Sequence, residues 1–213
     1  MEKRKILVLS TAVFAMAVLF IAAVYQWSRE PDSIVLETVG FPSVGSSSAK
    51  VEVVVIEDFR CCNCREFTAN VFPQIQKRYI DTGEARFTVV PVAFISGSKP
   101  IANAALEVYK IASNRFFAFI EELLPLCKFD NLEGKDLLRI AQKVGGIDLS
   151  QLENCIRSDC HYWELEKNLE WAKTVMGKSF GTPALYVNGR LTSTRSFQAV
   201  QQRIDQILNE AFE

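Results

Sequence analysis

Histidine is almost missing from this chain: of 213 residues, one is a histidine, His161. A single imidazole argues against a histidine-rich metal site and against a Cys–His protease pair. At the start of a helical pattern, His161 reads as an incidental surface or helix-start residue. An excess of one charge is missing too. Twenty-four Lys and Arg nearly balance 25 Asp and Glu, for a net charge of −1. No basic field of the kind that draws nucleic acid is present, so no nucleic-acid partner is expected. There are no internal repeats, and charge is absent altogether between Ile6 and Trp27.

That uncharged, largely apolar run suits a bilayer, which about 20 apolar residues can cross as a helix. The flank Lys3-Arg4-Lys5 predicts a cytoplasmic N-terminus, with the remainder of the chain on the far side. Residues 1–27 therefore read as a signal anchor. A cleaved signal peptide is the alternative, although bulky Tyr25-Gln26-Trp27 offers no clear small-x-small cleavage site. Residues 28–49 read as a flexible linker, because Glu30-Pro31-Asp32 breaks helix and Val44-Gly45-Ser46-Ser47-Ser48 is small and mobile in character. The expected location is the periplasmic or extracytoplasmic face of the membrane, tethered by the N-terminal helix, or the soluble periplasm after cleavage. Six cysteines fit that oxidising side.

Two stretches far apart carry the chemistry. Val51 to Ile56, a β-branched run too short for a helix, reads as a buried strand. Directly after it comes Asp58-Phe59-Arg60-Cys61-Cys62-Asn63-Cys64, with a helix expected from about Cys61 or Cys62 through Phe67, Val71, Ile75 and Tyr79, interrupted at Pro73. A C-x-x-C between strand and helix marks a dithiol–disulfide site. Much later, Gly181-Thr182-Pro183 leads into the strand Ala184 to Val187 and the hairpin signal Asn188-Gly189. Between the two lie a strand at Arg86 to Val90 and a block of helices at about 99–177. A last helix follows Ser196. The order is β-α-β, helices, β-β-α, which predicts an α/β thioredoxin fold with an inserted helical domain over residues 50–213.

With these motifs the chain resembles the DsbA-like thiol–disulfide oxidoreductases. The resemblance rests on Asp58-Phe59-x-Cys61-x-x-Cys64, on the Lys99-Pro100…Ala104-Ala105 helix, and on Gly181-Thr182-Pro183 with Tyr186-Val187-Asn188-Gly189. It implies an enzyme that exchanges disulfides with cysteine-containing extracytoplasmic proteins, an oxidase of moderate strength with a membrane redox partner of the DsbB or VKOR type. It implies a cis Thr182-Pro183 beside the cysteine pair, with the Thr182 backbone open to an extended substrate segment, and it calls for no cofactor. Two departures stand out. Cys62-Asn63 replaces the Pro-His or Pro-Tyr between the cysteines, and Val55 fills the position where many relatives place a buried acid. Both argue for a milder oxidant.

The physical roles follow from position. A helix N-terminus lowers a thiol's pKa, so Cys61 is the expected nucleophile and the more shielded Cys64 the resolving thiol. Cys62 is either a third thiol that diverts exchange or a tolerated small residue. The competing function is a copper or zinc carrier built on the Cys61/Cys62/Cys64 cluster. For the remaining cysteines, antiparallel packing of the helices puts Cys127 and Cys160 at one end of the block, so a Cys127–Cys160 bridge is expected. Cys127–Cys155 and no bridge are the alternatives; a short Cys155–Cys160 loop conflicts with a buried helical position for Cys155.

Overall fold

The computed structural model describes residues 13–22, 33–125 and 132–210. They fall into two compact units divided after Asp32. In the first, residues 13–22 form a helix (α1) with exposed side chains. Among the described residues no helix is long and apolar enough to cross a membrane. The rest of the anchor expected at residues 1–27 lies outside the described residues.

The second unit is built on a sheet of order β1-β3-β2-β4-β5. Its strands are β1 (Ser43–Val44), β2 (Val51–Glu57), β3 (Ala85–Pro91), β4 (Ala184–Val187) and β5 (Arg190–Thr192). β2 and β3 run parallel, and the other neighbours pair antiparallel. β2 is buried on both faces, as its β-branched run predicts. Val51, Val53 and Val55 enter the main core, while Val54 and Ile56 enter a second cluster with Ala172 and Met176.

The helix after β2 divides as Pro73 requires. α2 (Cys62–Asn70) stops short of it, and α3 (Phe72–Ile75) carries it in its first turn, where its missing N–H costs nothing. A π-helical turn, Gln76–Ile80, completes the segment. The insertion comprises α4 (Lys99–Ile111), α5 (Phe116–Leu123), α6 (Gly134–Val144), α7 (Leu149–Ser158) and α8 (Tyr162–Met176). α9 (Phe197–Glu210) closes the fold, and the Ser196 hydroxyl accepts the Ala199 N–H at 3.4 Å. The expected thioredoxin fold with a helical insertion is the fold observed.

The linker expectation is corrected. From Ser33 onward the chain belongs to the second unit. The Ile34 N–H bonds the Gly189 carbonyl at 3.0 Å, Thr38 donates to Glu52 at 2.6 Å, and Phe41 packs on Trp171. β1 then adds a fifth strand beside β3. The Ile34 and Thr38 contacts lie at the end of the sheet where β2 begins, opposite the end from which α2 starts. The strap escaped the sequence reading because its partners, the Gly189 carbonyl, Glu52 and Trp171, are distant in sequence.

Gly189 shows how close the strap runs. It sits at φ +76°, and a Cβ there would come within 1.9 Å of the Ile34 carbonyl oxygen. Gly189→Ala should destabilise the domain by about 1–3 kcal/mol and expose residues 33–42 to protease. Chemical denaturation and limited proteolysis check this; unchanged stability would contradict the close approach.

Candidate active site

Two buried carboxylates lie beside Cys61. Asp58, at the exit of β2, is fully buried. Its Oδ1 accepts the Arg60 N–H at 2.9 Å, and its Oδ2 accepts those of Phe94 and Ile95 at 2.9 and 3.0 Å. One side chain thus ties the β2–α2 turn to the segment leaving β3. The Cys61 N–H bonds the Asp58 carbonyl, and the Cys61 carbonyl accepts the first turn's Arg65 N–H. Cys61 is thereby the N-cap of α2, with extended backbone dihedrals and no capping side chain.

The three thiols of this turn are unlike one another. Cys61 is half-buried, Cys62 exposed and Cys64 buried. The Cys61 thiol is lowered to about 5, first by a hydrogen bond from Cys64; the Thr182 side chain and the backbone N–H groups of Cys64 and Asn63 add to this against the cost of burial. Burial drives Cys64 far the other way, with the hydrogen bond it donates to Cys61 as the next cause. The pair therefore shares one proton asymmetrically, with a thiolate at Cys61 and a thiol at Cys64.

The second stretch meets the first as expected. The Thr182–Pro183 peptide bond is cis. The Cys61 thiol, when protonated, donates to the Thr182 carbonyl at 3.2 Å. The buried Thr182 hydroxyl has no partner in that form and is the group that turns to a thiolate. Beside them opens a groove of about 460 Å³ lined by Asn63, Glu66, Asn70, Thr182, Pro183 and Arg195, among others.

Sequence reasoning missed Glu57. It noted Val55 where many relatives carry an acid and took the buried acid to be absent. Successive side chains of a strand alternate in face, so Glu57 points to the same face as Val55, one pleat nearer α2. The residue is buried, with Oε2 unpartnered. Burial, then the charges of Cys61 and Asp58, raise its carboxyl to about 8, against a hydrogen bond with Thr68. Glu57 in turn helps to raise Cys64. The period-2 pattern of β2 was the signal that could have found it.

Two further expectations change. Cys160 is bridged to Cys155, not to Cys127, which lies outside the described residues. The tight connection between α7 and α8 makes the short loop feasible: α7 ends on Asp159 in the left-handed conformation, which turns the chain back toward Cys155. His161 stands at the start of α8, as one of the two readings had it, but it is no surface residue; it is buried against Glu107 at 2.7 Å. Nor do Cys61, Cys62 and Cys64 converge as a metal-ligand cluster; among the described residues, the one such grouping lies in the insertion.

Comparison with known proteins agrees with this geometry. A thioredoxin family model matches residues 37–206. Disulfide bond formation protein D of Bacillus subtilis is 40% identical over 85 residues, covering 39% of this chain and 38% of that protein. The chain spans between 38% and 64% of the length of the curated relatives it matches. Among solved structures, Chlamydia trachomatis DsbA superposes with a TM-score of 0.76 at 30% identity, over 84% of this chain and 97% of that one. Oxidised BdbD from Bacillus subtilis gives 0.77 at 26% identity, over 85% and 100%.

The titrations predict opposite pH slopes. Between about pH 5 and the ordinary thiol value of 9.0, the folded reduced protein has released the Cys61 proton and the unfolded chain keeps it. Stability from Cys61 is thus lost progressively as pH falls from 9.0 to about 5. Between pH 4.5 and about 8, folded protein keeps the Glu57 proton that the unfolded chain releases, so this contribution falls as pH rises. Glu57→Gln should therefore steepen the gain in stability of the reduced form from pH 5 to 8, measured by urea denaturation at each pH. On a Cys62→Ala background, thiolate absorbance should give a midpoint near 5 for Cys61. A midpoint at the free-thiol value would overturn the assignment.

Proposed function

The chain belongs to the thioredoxin family, among its DsbA-like thiol–disulfide oxidoreductases, and we propose that it oxidises protein thiols through Cys61 and Cys64. The observation that carries this reading is the asymmetry of the pair, a thiolate at the helix start beside a buried thiol. In the oxidised protein, a substrate thiolate attacks Cys61 Sγ, the exposed end of the pair. A mixed disulfide forms as the Cys61–Cys64 bond breaks, and Cys64 leaves with the electron pair. A second substrate thiolate then attacks the substrate sulfur, and Cys61 departs as a thiolate. Two electrons have passed from the substrate to the pair; of the two substrate protons, one is held by Cys64 and the other goes to solvent.

Each half of the geometry favours one step. A low-pKa thiol is the better leaving group, which suits Cys61 to release product. A high-pKa thiol needs a proton as it leaves, and Glu57, uncharged near pH 7 and close enough to act on Cys64, supplies one. The groove beside Thr182 and Pro183 receives the substrate as an extended segment, with the Thr182 backbone pairing to it. Stabilising the Cys61 thiolate favours the reduced form and makes the pair oxidising. The unusual Cys62-Asn63 pair keeps this oxidant moderate. Reoxidation falls to a membrane partner of the DsbB or VKOR type. The domain works on the extracytoplasmic side, with residues 1–27 as its anchor.

Oxidative refolding of a reduced, disulfide-containing protein tests the central reading. Cys61→Ser should abolish turnover, whereas Cys64→Ser, given a substrate that already carries a disulfide, should accumulate mixed disulfides through Cys61 that reductant releases. Turnover surviving in Cys61→Ser would sink the proposal. For the anchor, full-length protein should stay with carbonate-washed membranes after cell fractionation. A shortened form in the soluble extracytoplasmic fraction would replace anchoring with cleavage.

A further inference from the structure

The insertion holds a second cysteine pair that exchange at Cys61 and Cys64 does not use. α7 brings Cys155 in its last turn, the left-handed Asp159 reverses the chain, and Cys160 and His161 follow at once as α8 begins. Glu107 reaches the same point from α4. One ligand atom each from Glu107, Cys155, Cys160 and His161 lies within 4.8 Å of the others. Glu107, Cys155 and His161 are buried, and Cys160 is exposed. The His161 Nε2 meets Glu107 Oε2 at 2.7 Å, and Cys160 Sγ lies 3.6 Å from the same oxygen.

The shell around these atoms is also built. Asn103 Nδ2 donates to the Cys155 carbonyl at 3.2 Å and lies 3.5 Å from Cys155 Sγ, while its Oδ1 accepts the His161 backbone N–H at 2.8 Å. The other imidazole nitrogen, Nδ1, lies 3.2 Å from Glu164 Oε2 and 3.3 Å from Lys110 Nζ. A ring held by a carboxylate on one nitrogen, with the other turned to thiols and a second carboxylate, matches how zinc-binding histidines are oriented. Burying an imidazole and a carboxylate is costly without specific partners, and here both are placed at the sulfurs.

While the disulfide is closed, neither sulfur is a thiolate. We propose that reduction of Cys155–Cys160 opens a zinc site whose ligands are Cys155, Cys160, His161 and Glu107. An external dithiol supplies the two electrons and becomes a disulfide, leaving two thiols on the protein. Zinc then displaces both thiol protons to solvent and binds the thiolates. Zn–S and Zn–N bonds of about 2.3 and 2.0 Å set neighbouring ligands of a tetrahedron roughly 3.3–3.8 Å apart. The oxygen and the Cys160 sulfur already stand at such a distance. The two sulfurs must separate, which the exposed Cys160 allows, and the Glu107–His161 contact must widen to admit the ion. Two thiolates select zinc over calcium or magnesium, and four protein ligands leave no open position, so the site is structural. Oxidised, the pair staples α7 to the start of α8 through sulfur; reduced, it does so through the metal.

The test uses full-length protein carrying Cys61→Ser, Cys62→Ser, Cys64→Ser and Cys127→Ser, so that the insertion pair holds the remaining thiols. After phosphine reduction and anaerobic removal of the reductant, one equivalent of Co²⁺ should give tetrahedral ligand-field bands with thiolate charge transfer. One equivalent of Zn²⁺ should bleach them and survive gel filtration, and unreduced protein should take up neither. His161→Ala and Glu107→Gln should each weaken zinc binding at least tenfold. Should reduction unfold the insertion, zinc must restore its helicity and protease resistance. Absence of stoichiometric binding, equal binding by the unreduced protein, unchanged affinity in both variants, or failure of zinc to restore a lost fold would each overturn the proposal.

Discussion

The buried carboxylate of Asp58 is the interaction on which the reacting end of this molecule depends. It takes three backbone N–H groups from two segments, the β2–α2 turn and the stretch leaving β3. Without it, the β2–α2 turn would present donors to a dry interior, where each unpaired group costs about 1–3 kcal/mol. With it, the Cys61 carbonyl enters the first turn of α2 while its sulfur stays outside. The helix then offers the sulfur its unpaired N–H groups, and the cis Thr182–Pro183 step approaches from the opposite strand. Asp58 never touches a reacting atom, yet the electrostatics of Cys61 follow from where it fixes the chain.

Glu57, its neighbour, does the opposite kind of work. One carboxyl is satisfied by backbone donors and organises structure; the other keeps an oxygen unpartnered and stays protonated near neutrality. Two acids adjacent in sequence thus have separate roles: Glu57 ends β2, whereas Asp58, just beyond the strand, takes the backbone N–H groups of the loops around it. The contrast explains why a buried acid can move by two residues along a strand and still act on the same thiol: a two-residue shift preserves the face, whereas a one-residue shift would lose it.

Much of this was legible in the sequence because it rests on local pattern. The β-branched run of β2, the C-x-x-C at its exit, Thr182-Pro183 before β4 and the Asn188-Gly189 turn each carry their geometry in neighbouring residues. The features that escaped are those set by partners distant in the chain. β1 is two residues long and has no periodicity to show. His161 looked incidental because Glu107, 54 residues away, supplies the reason for its burial. The Cys155–Cys160 bridge escaped for another reason: helical phase puts Cys155 inside, and only the reversal at Asp159 returns Cys160 to it. Glu57 was readable, since strand alternation alone would have exposed it.

The strap from Ser33 to Val44 fixes where the chain joins the domain. Ile34 and Thr38 are held at Gly189 and Glu52, where β2 begins, and Cys61 follows the strand's other end. Seven extended residues separate the two poles by about 20 Å. Ser33 therefore enters the domain at the pole of the sheet opposite the reacting sulfur. Strap and thiol exchange thus occupy separate ends of one sheet, and the contacts that fasten the entering chain are contacts the reaction never enters.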